Sequence, residues 1–219
     1  MTAEMDRDAI AERLNVLLTG TSLEPLDTVL AGRFADYLAL LMKWNARINL
    51  TAIRDEEGIL SRHFVESIVC ARALPAGIAT LLDFGSGAGF PGLPIALCRP
   101  EIRVTLAESQ GKKAAFLQEA IRVLGIQSEV YAQRAEGMAA RFDCVTLRAV
   151  DRMERAVEAA AGLVGSGGCL AVMTTKIELE RQQAAAGAGF AWPRSLSLPG
   201  GADRVVAFGQ RREGAGRLN

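Results

Sequence analysis

Leu81-Leu82-Asp83-Phe84-Gly85-Ser86-Gly87-Ala88-Gly89-Phe90-Pro91-Gly92 decides the fold of this chain. A short apolar run closes on an acid, breaks into glycines spaced two apart, and enters a proline-bearing segment that reads as a helix start. Apolar runs of this length bounded by glycine are the pattern of buried parallel strands. The glycines fall where backbone must turn sharply and lie against a ligand with no Cβ in the way. In an open α/β sheet, the first strand-to-helix turn is where nucleotides and their relatives bind.

The neighbouring residues narrow the ligand. Gly87 to Gly92 fits the dinucleotide spacing, but a pyrophosphate needs the free N–H groups of a helix N-terminus. Pro91 and Pro94 remove two such donors, and Asp83 would set a carboxylate beside the phosphates. A ligand with an ammonium, a sulfonium and one small carboxylate makes Asp83 attractive instead. S-adenosylmethionine is that ligand, with Asp83 and the loop glycines Gly87 and Gly89 as its expected contacts.

Before this stretch the pattern is helical. Residues 5–19 repeat apolar positions at helical spacing and Gly20-Thr21-Ser22 stops them. A longer amphipathic helix is expected from about Pro25, with Leu26, Leu30, Phe34, Tyr37, Leu41 and Trp44 forming one apolar stripe. The polar segment Lys43–Arg54 ends that pattern, and Asp55 can cap a further helix through Glu56, Ile59, His63, Phe64 and Ser67. Its basic residues (Lys43, Arg47, Arg54, Arg62) are balanced by nearby acids.

From Thr80 onward, strands alternate with helices. Strands are expected at Thr80–Phe84, Ile102–Ala107, Ser128–Ala132, Phe142–Leu147 and Cys169–Met173. Helices are expected at Gly92–Cys98, Lys112–Leu124 with Gly125 as C-cap, Met153–Val164 and Lys176–Ala186. Phe190–Leu198 and Arg204–Phe208 have no helix between them and read as an antiparallel pair finishing the sheet. The expected fold class is α/β: a mostly parallel, doubly wound sheet with an antiparallel edge. The expected division is an N-terminal helical extension (1–75), a ligand-binding α/β domain (76–212) and a flexible tail (213–219).

Composition excludes several classes of function. The 219 residues are 50% apolar and 23% charged, an ordinary globular balance. Formal net charge is zero, so a nucleic-acid partner would need a local basic face. Cys70, Cys98, Cys144 and Cys169 are scattered without a C-x-x-C pair and read as reduced hydrophobes of a cytosolic protein. His63 is the single histidine, which argues against a metal site. No hydrophobic signal region opens the chain, and no run approaches the roughly 18 apolar residues of a membrane span. A soluble, cytoplasmic monomer without metal or membrane attachment is expected.

The chemistry should lie outside the carboxyl ends of the strands, and a polar residue stands at nearly every one. Asp83 ends the first strand. Glu108 closes the second, placed for both ribose hydroxyls. Ala135-Glu136 follow the third, where a backbone N–H and a carboxylate can address adenine. Arg148 follows the fourth, nearest the methyl group, and is expected at the methionine end of the cofactor, at guanine O6 or at a phosphate. Lys176 follows the fifth and is placed for an RNA phosphate. Missing residues narrow the reaction. Methylation at pyrimidine C5 needs a cysteine nucleophile, and Cys144 lies inside the fourth strand. Arg148-Ala149-Val150-Asp151 lacks the prolines typical of exocyclic-amine methylation. An acceptor that is already nucleophilic, such as guanine N7, remains; its methylation needs alignment but no general base.

With these residues in place the chain resembles the glucose-inhibited division protein B family of 16S rRNA guanine-N7 methyltransferases, from about residue 24 to 208. The resemblance rests on Lys43-Trp44-Asn45, Asn49-Leu50-Thr51-Ala52-Ile53, Arg62-His63 with Ser67, and Asp83 to Gly92. It continues through Glu108-Ser109, Lys112-Lys113, Phe116-Leu117, Arg134-Ala135-Glu136 and Arg148-Ala149. It implies a Rossmann-like class I methyltransferase domain with a helical extension. It also implies transfer from S-adenosylmethionine to N7 of a guanine in the decoding-site loop of 16S rRNA, free or in the small ribosomal subunit. Gly85, Phe90, Ala135-Glu136 and Arg148 match the family's cofactor contacts. Asn49, Thr51, His63 and Ser67 match positions facing the same cleft. Ile177 stands where the family usually has glycine, and Glu66 where aspartate is common. A methyltransferase of proteins or small molecules, and a non-catalytic module binding cofactor or RNA, are the competing readings; a labelled methyl-transfer assay separates them.

Overall fold

In the computed structural model, which describes residues 6–201 and 203–213, the strands follow the apolar runs. They are β1 (Thr80–Phe84), β2 (Arg103–Ala107), β3 (Ser128–Tyr131), β4 (Phe142–Arg148), β5 (Val164–Thr175), β6 (Phe190–Ser197) and β7 (Arg204–Arg211). One sheet holds them in the order β3-β2-β1-β4-β5-β7-β6. β1 to β5 pair in parallel, and β7 runs antiparallel between β5 and β6. The expected antiparallel finish is therefore a hairpin whose reversed strand lies one place in from the edge. Chain order reverses between β1 and β4, the switch point where α/β sheets open a crevice.

Helices cover both faces. α1 (Arg7–Gly20), α2 (Thr28–Asn45), α4 (Glu66–Ala73), α5 (Gly92–Cys98) and α6 (Gly111–Leu124) share one apolar core with Leu81, Val104, Leu106 and Cys144 of the sheet. The opposite face packs Leu82, Phe84, Val145, Leu147 and Leu170 with Val157 and Ala160 of α7 (Met153–Leu163), beside α8 (Lys176–Ala186). Leu81 and Leu82 go to different cores because successive strand residues point to opposite faces.

Three expectations shift. The second helix begins at Thr28 rather than near Pro25: Asp27 caps it through the Leu30 N–H (2.8 Å), and the Leu26 N–H is taken by Asn15 Oδ1 at 2.8 Å. A side-chain cap with a satisfied donor outweighs the preference of proline for a first turn. The fifth strand extends from Val164 to Thr175, because Gly165–Gly168 is absorbed as an irregularity against Phe142–Cys144 instead of ending a helix. The helix capped by Asp55 forms, through a 2.6 Å bond from the Gly58 N–H, but it is not uniform. α3 (Glu56–Gly58) passes into a π-helical stretch, Ile59–Val65, before α4 resumes. Met5, where the first helix was expected to open, and residues 214–219 of the expected tail lie outside the described residues. Among the described residues, no helix is long and apolar enough to cross a membrane.

Candidate functional site

The loop after β1 is built by its own backbone. Gly85, Gly87 and Gly89 all hold positive φ (72°, 57° and 92°), a region costly for other residues. Ser86 N–H bonds the Ala107 carbonyl at 2.9 Å, and Gly89 N–H returns to Ser86 at 2.7 Å. A Cβ on Gly89 would lie 2.4 Å from Leu93 and 2.7 Å from the Tyr37 hydroxyl, so no side chain fits there. Gly87 differs: its missing Cβ points into open space, the nearest atom being the Gly85 carbonyl at 3.9 Å.

Asp83 works behind this loop rather than in front of it. The residue is 1% exposed. It accepts the Gly92 N–H at 3.1 Å and the Thr146 hydroxyl at 2.9 Å. Burial raises its pKa to about 6, opposed by those hydrogen bonds. The expected contact between Asp83 and a cationic ligand is thus replaced by an internal brace tying β1, β4 and the start of α5. Tyr37 braces the loop from α2, donating to the Ala88 carbonyl at 2.5 Å and stacking on Phe64 and Phe90.

In front of the loop lies a cleft of about 930 Å³, within the size range of small-molecule sites. Gly85, Gly87, Phe90, Glu108, Ala135, Glu136 and Arg148 line it, together with Thr51 and His63 from the helical extension. Glu108 is 7% exposed; its two oxygens accept the N–H groups of Gly87 (3.0 Å) and Gln110 (2.7 Å). Each carboxylate oxygen retains a lone pair for a further donor. Ala135 is buried and Glu136 exposed in the 3₁₀ turn after β3.

Arg148 leaves β4 into a buried ionic cluster. Its Nη2 donates to the Arg62 carbonyl (2.7 Å) and to Glu66 (2.8 Å), and its side chain is 7% exposed. Nη1 is buried and has no partner among the described residues. Burial lowers the Arg148 pKa to about 10, against the pull of Glu66, so it stays charged at neutral pH. The turn that follows holds Ala149 and Arg152 at φ 49° and 52° without glycine.

His63 sits in the π-helical stretch and stacks on Phe90 with centroids 4.5 Å apart. Its Nε2 shares a 2.7 Å hydrogen bond with Thr51 Oγ1, while Nδ1 is buried and has no partner among the described residues. Burial, then the charges of Arg148, Arg62 and Arg204, lower its pKa to about 3. The ring is neutral at physiological pH and a poor proton acceptor.

Several expected residues stand elsewhere. Gly89 shapes the loop from behind. Asn49 is exposed and accepts a bond from Arg54 at 2.7 Å. Ser67 is fully buried, one helical turn past His63, its hydroxyl without a partner among the described residues. Lys176 is exposed at the start of α8, where its backbone N–H holds the Asp203 carbonyl at 2.7 Å. None of these four lines the cleft. Read from sequence, Tyr37 has only a place in an apolar stripe, Glu66 is only a family variation and Arg204 has no role in the site. Glu66 offered a signal, an acid entering the otherwise apolar run Ile68-Val69-Cys70-Ala71; Arg204, opening a strand, offered none.

The chain is similar to known proteins in both sequence and fold. The family model GidB, described as rRNA small subunit methyltransferase G, matches residues 31–191. A ribosomal RNA small subunit methyltransferase G from Roseiflexus sp. (strain RS-1) is 49% identical over 133 residues, 58% of this chain and 57% of that protein's length. The protein of the same name from Xanthomonas euvesicatoria pv. vesicatoria is 38% identical over 173 residues, 77% of this chain and 81% of that one. Among solved structures, a SAM-dependent O-methyltransferase from Thermotoga maritima aligns with a TM-score of 0.58 at 13% identity, covering 70% of this chain and 66% of that one. A SAM-dependent methyltransferase from Aquifex aeolicus aligns with a TM-score of 0.56 at 16% identity, covering 70% and 93%. These structural likenesses establish a Rossmann-like methyltransferase fold.

Proposed function

We propose, from the premise that this chain belongs to the rRNA small subunit methyltransferase G family, that it methylates N7 of a guanine in the decoding-site loop of 16S rRNA. The observation that carries the reading is the loop–cleft pair: three left-handed glycines with open space over Gly87, whose N–H is held by Glu108 at 3.0 Å, bordering a cleft of about 930 Å³. That cradle fits S-adenosylmethionine, since adenosine and methionine moieties need an acid, a backbone turn and a cation in this order along the strand ends. When bound, this cofactor supplies an electrophilic methyl on a sulfonium, which the N7 lone pair accepts as the carbon–sulfur bond breaks.

The chain's own residues orient and desolvate. Glu108 offers its free lone pairs to the ribose hydroxyls, and Ala135-Glu136 address the adenine edge. Gly85 and Phe90 shape the wall. Arg148 is suited to the methionine carboxylate: a fixed cation gains from an anion there, but would oppose the positive charge that guanine acquires. His63 and Thr51 line the acceptor side as neutral groups. No proton leaves N7, so the low basicity of His63 is no obstacle, and alignment supplies the rate. Asn49, Ser67 and Lys176 are read as supports for the RNA-facing side, Lys176 through a phosphate. We place the protein in the cytoplasm as a monomer, with residues 1–75 as a helical extension and 76–212 as the catalytic domain.

Methyl transfer from labelled S-adenosylmethionine to naked 16S rRNA and to small subunits, with primer-extension mapping, tests the reading. A single modified guanine in the decoding-site loop is expected; label on protein or small molecules alone would refute it.

A further inference from the structure

Glu66 has no exposed side-chain surface, yet it serves two guanidiniums. Arg204 grips it as a fork, Nε to Oε1 at 2.6 Å and Nη2 to Oε2 at 2.8 Å. Arg148 shares Oε2 through Nη2 at 2.8 Å. Arg148 thus spends one nitrogen on Glu66 and the Arg62 carbonyl, while Nη1 has no partner among the described residues.

Such a cluster is an expensive way to gain stability. Burying each ion costs several kcal/mol, and buried pairs are often replaced by apolar side chains without loss. A cluster that orders one donor of a cleft-lining arginine and leaves its other, buried donor unpaired among the described residues instead has the form of a support for a binding group. The charges agree: two arginines share one carboxylate, so a net positive charge survives for a ligand, which a simple pair would cancel.

Arg204 is delivered by the β6–β7 hairpin, 138 residues along the chain from Glu66. Its N–H bonds the Gly201 carbonyl at 3.2 Å, and its own carbonyl accepts the Leu198 N–H at 2.8 Å. The turn closes onto the cluster at Gly200 (φ 95°), where a Cβ would lie 3.6 Å from Glu66 Oε1 and 3.5 Å from Arg62 Cγ. Both ends of the clamp are therefore fixed before any ligand arrives.

We propose that Glu66 and Arg204 are positioning residues: Arg204 fixes the Glu66 carboxylate, Glu66 holds Nη2 of Arg148, and Nη1 is thereby presented to the carboxylate of the cofactor. This rests on the cofactor reading of the cleft. A double-mutant cycle tests it, with S-adenosylhomocysteine binding measured calorimetrically on wild type, Arg204→Met, Arg148→Ala and the double variant. Arg204→Met should weaken binding about tenfold alone and have no further effect in the Arg148→Ala background. Methylthioadenosine, which lacks the carboxylate, should bind wild type and Arg204→Met equally. A purely structural Arg204 would weaken both ligands. Wild-type affinity in Arg204→Met, equal losses in both backgrounds, or equal losses for both ligands would overturn the proposal. Should Arg204→Met not fold, Arg204→Lys carries the same cycle, since lysine cannot reproduce the fork; the same outcomes then decide. A wild-type protein that ignores S-adenosylhomocysteine would instead refute the cofactor reading beneath it.

Discussion

The loop after β1 and the turn after β4 adjoin each other at the cleft, with the Gly85 Cβ position 3.0 Å from Val150. Both need backbone in the left-handed region. The loop meets that need with Gly85, Gly87 and Gly89, the turn with Ala149 and Arg152. On the proposed reading the loop recognises its ligand by shape, through bare backbone braced from behind by Asp83 and Tyr37. The turn presents charge, through Arg148 and the ions that hold it. Backbone recognition requires the absence of side chains, whereas charge recognition tolerates local strain of roughly 1–3 kcal/mol per residue if the surroundings fix it. The two walls should therefore fail in different ways.

The largest effect is expected from Gly87→Val. A β-branched residue at φ 57° would be strained, and its side chain would fill the open space over the loop. Affinity for S-adenosylhomocysteine should fall by at least about 100-fold, or about 2.7 kcal/mol, with thermal unfolding still cooperative. Retained affinity would mean that the loop does not face the ligand. Arg148→Ala comes next. Hydrogen bonds to charged groups contribute roughly 1.5–3 kcal/mol, so kcat/KM should drop about 10- to 100-fold. A near-normal rate would leave the charged wall without a role in turnover.

His63 joins the walls, stacked on Phe90 and facing the field of Arg148, and its pH behaviour sharpens the contrast. Its pKa falls from 6.5 to about 3 on folding. The unfolded chain then binds more protons below pH 6.5, so stability from this group is present above that value and lost as pH falls toward 3. Relative to His63→Gln, wild type should lose about 2.5 kcal/mol between pH 7 and 4.5 in denaturant titrations. Parallel pH profiles would contradict the buried, neutral ring. The smallest effect is expected from Ala149→Gly, which relieves the left-handed strain and should raise stability by about 0.5–1 kcal/mol. A loss would show the turn to be unstrained and erase the difference in backbone terms.

The loop wall was legible in the sequence and the charged wall only in part. β1 and α5 occupy the residues that the apolar run and the glycines indicate, because a buried strand and a tight turn are local demands written in adjacent residues. Glu108 and Arg148 follow from counting strand ends, and both line the cleft. Asp83 was found but misread: sequence places an acid at the strand end without saying which way its carboxylate turns. The π-helical stretch that carries His63 has no local signature, since its residues fit an α-helical pattern equally well. Arg204 could not be found, because its meaning depends on a partner at Glu66 that only the closed hairpin brings near.

Tyr37 carries a consequence for how the protein can be divided. Its ring lies between Phe64 and Phe90, and its hydroxyl holds the Ala88 carbonyl. The helices that carry Tyr37 and Phe64 are thus part of the mould in which the glycine turn sets, not a handle bolted onto a finished enzyme. A fragment starting at residue 76 would lay bare the surfaces that meet Phe34, Tyr37 and Phe64. An apolar patch of that kind invites aggregation, so shortening the protein from its front should silence chemistry that takes place on the far side of the cut.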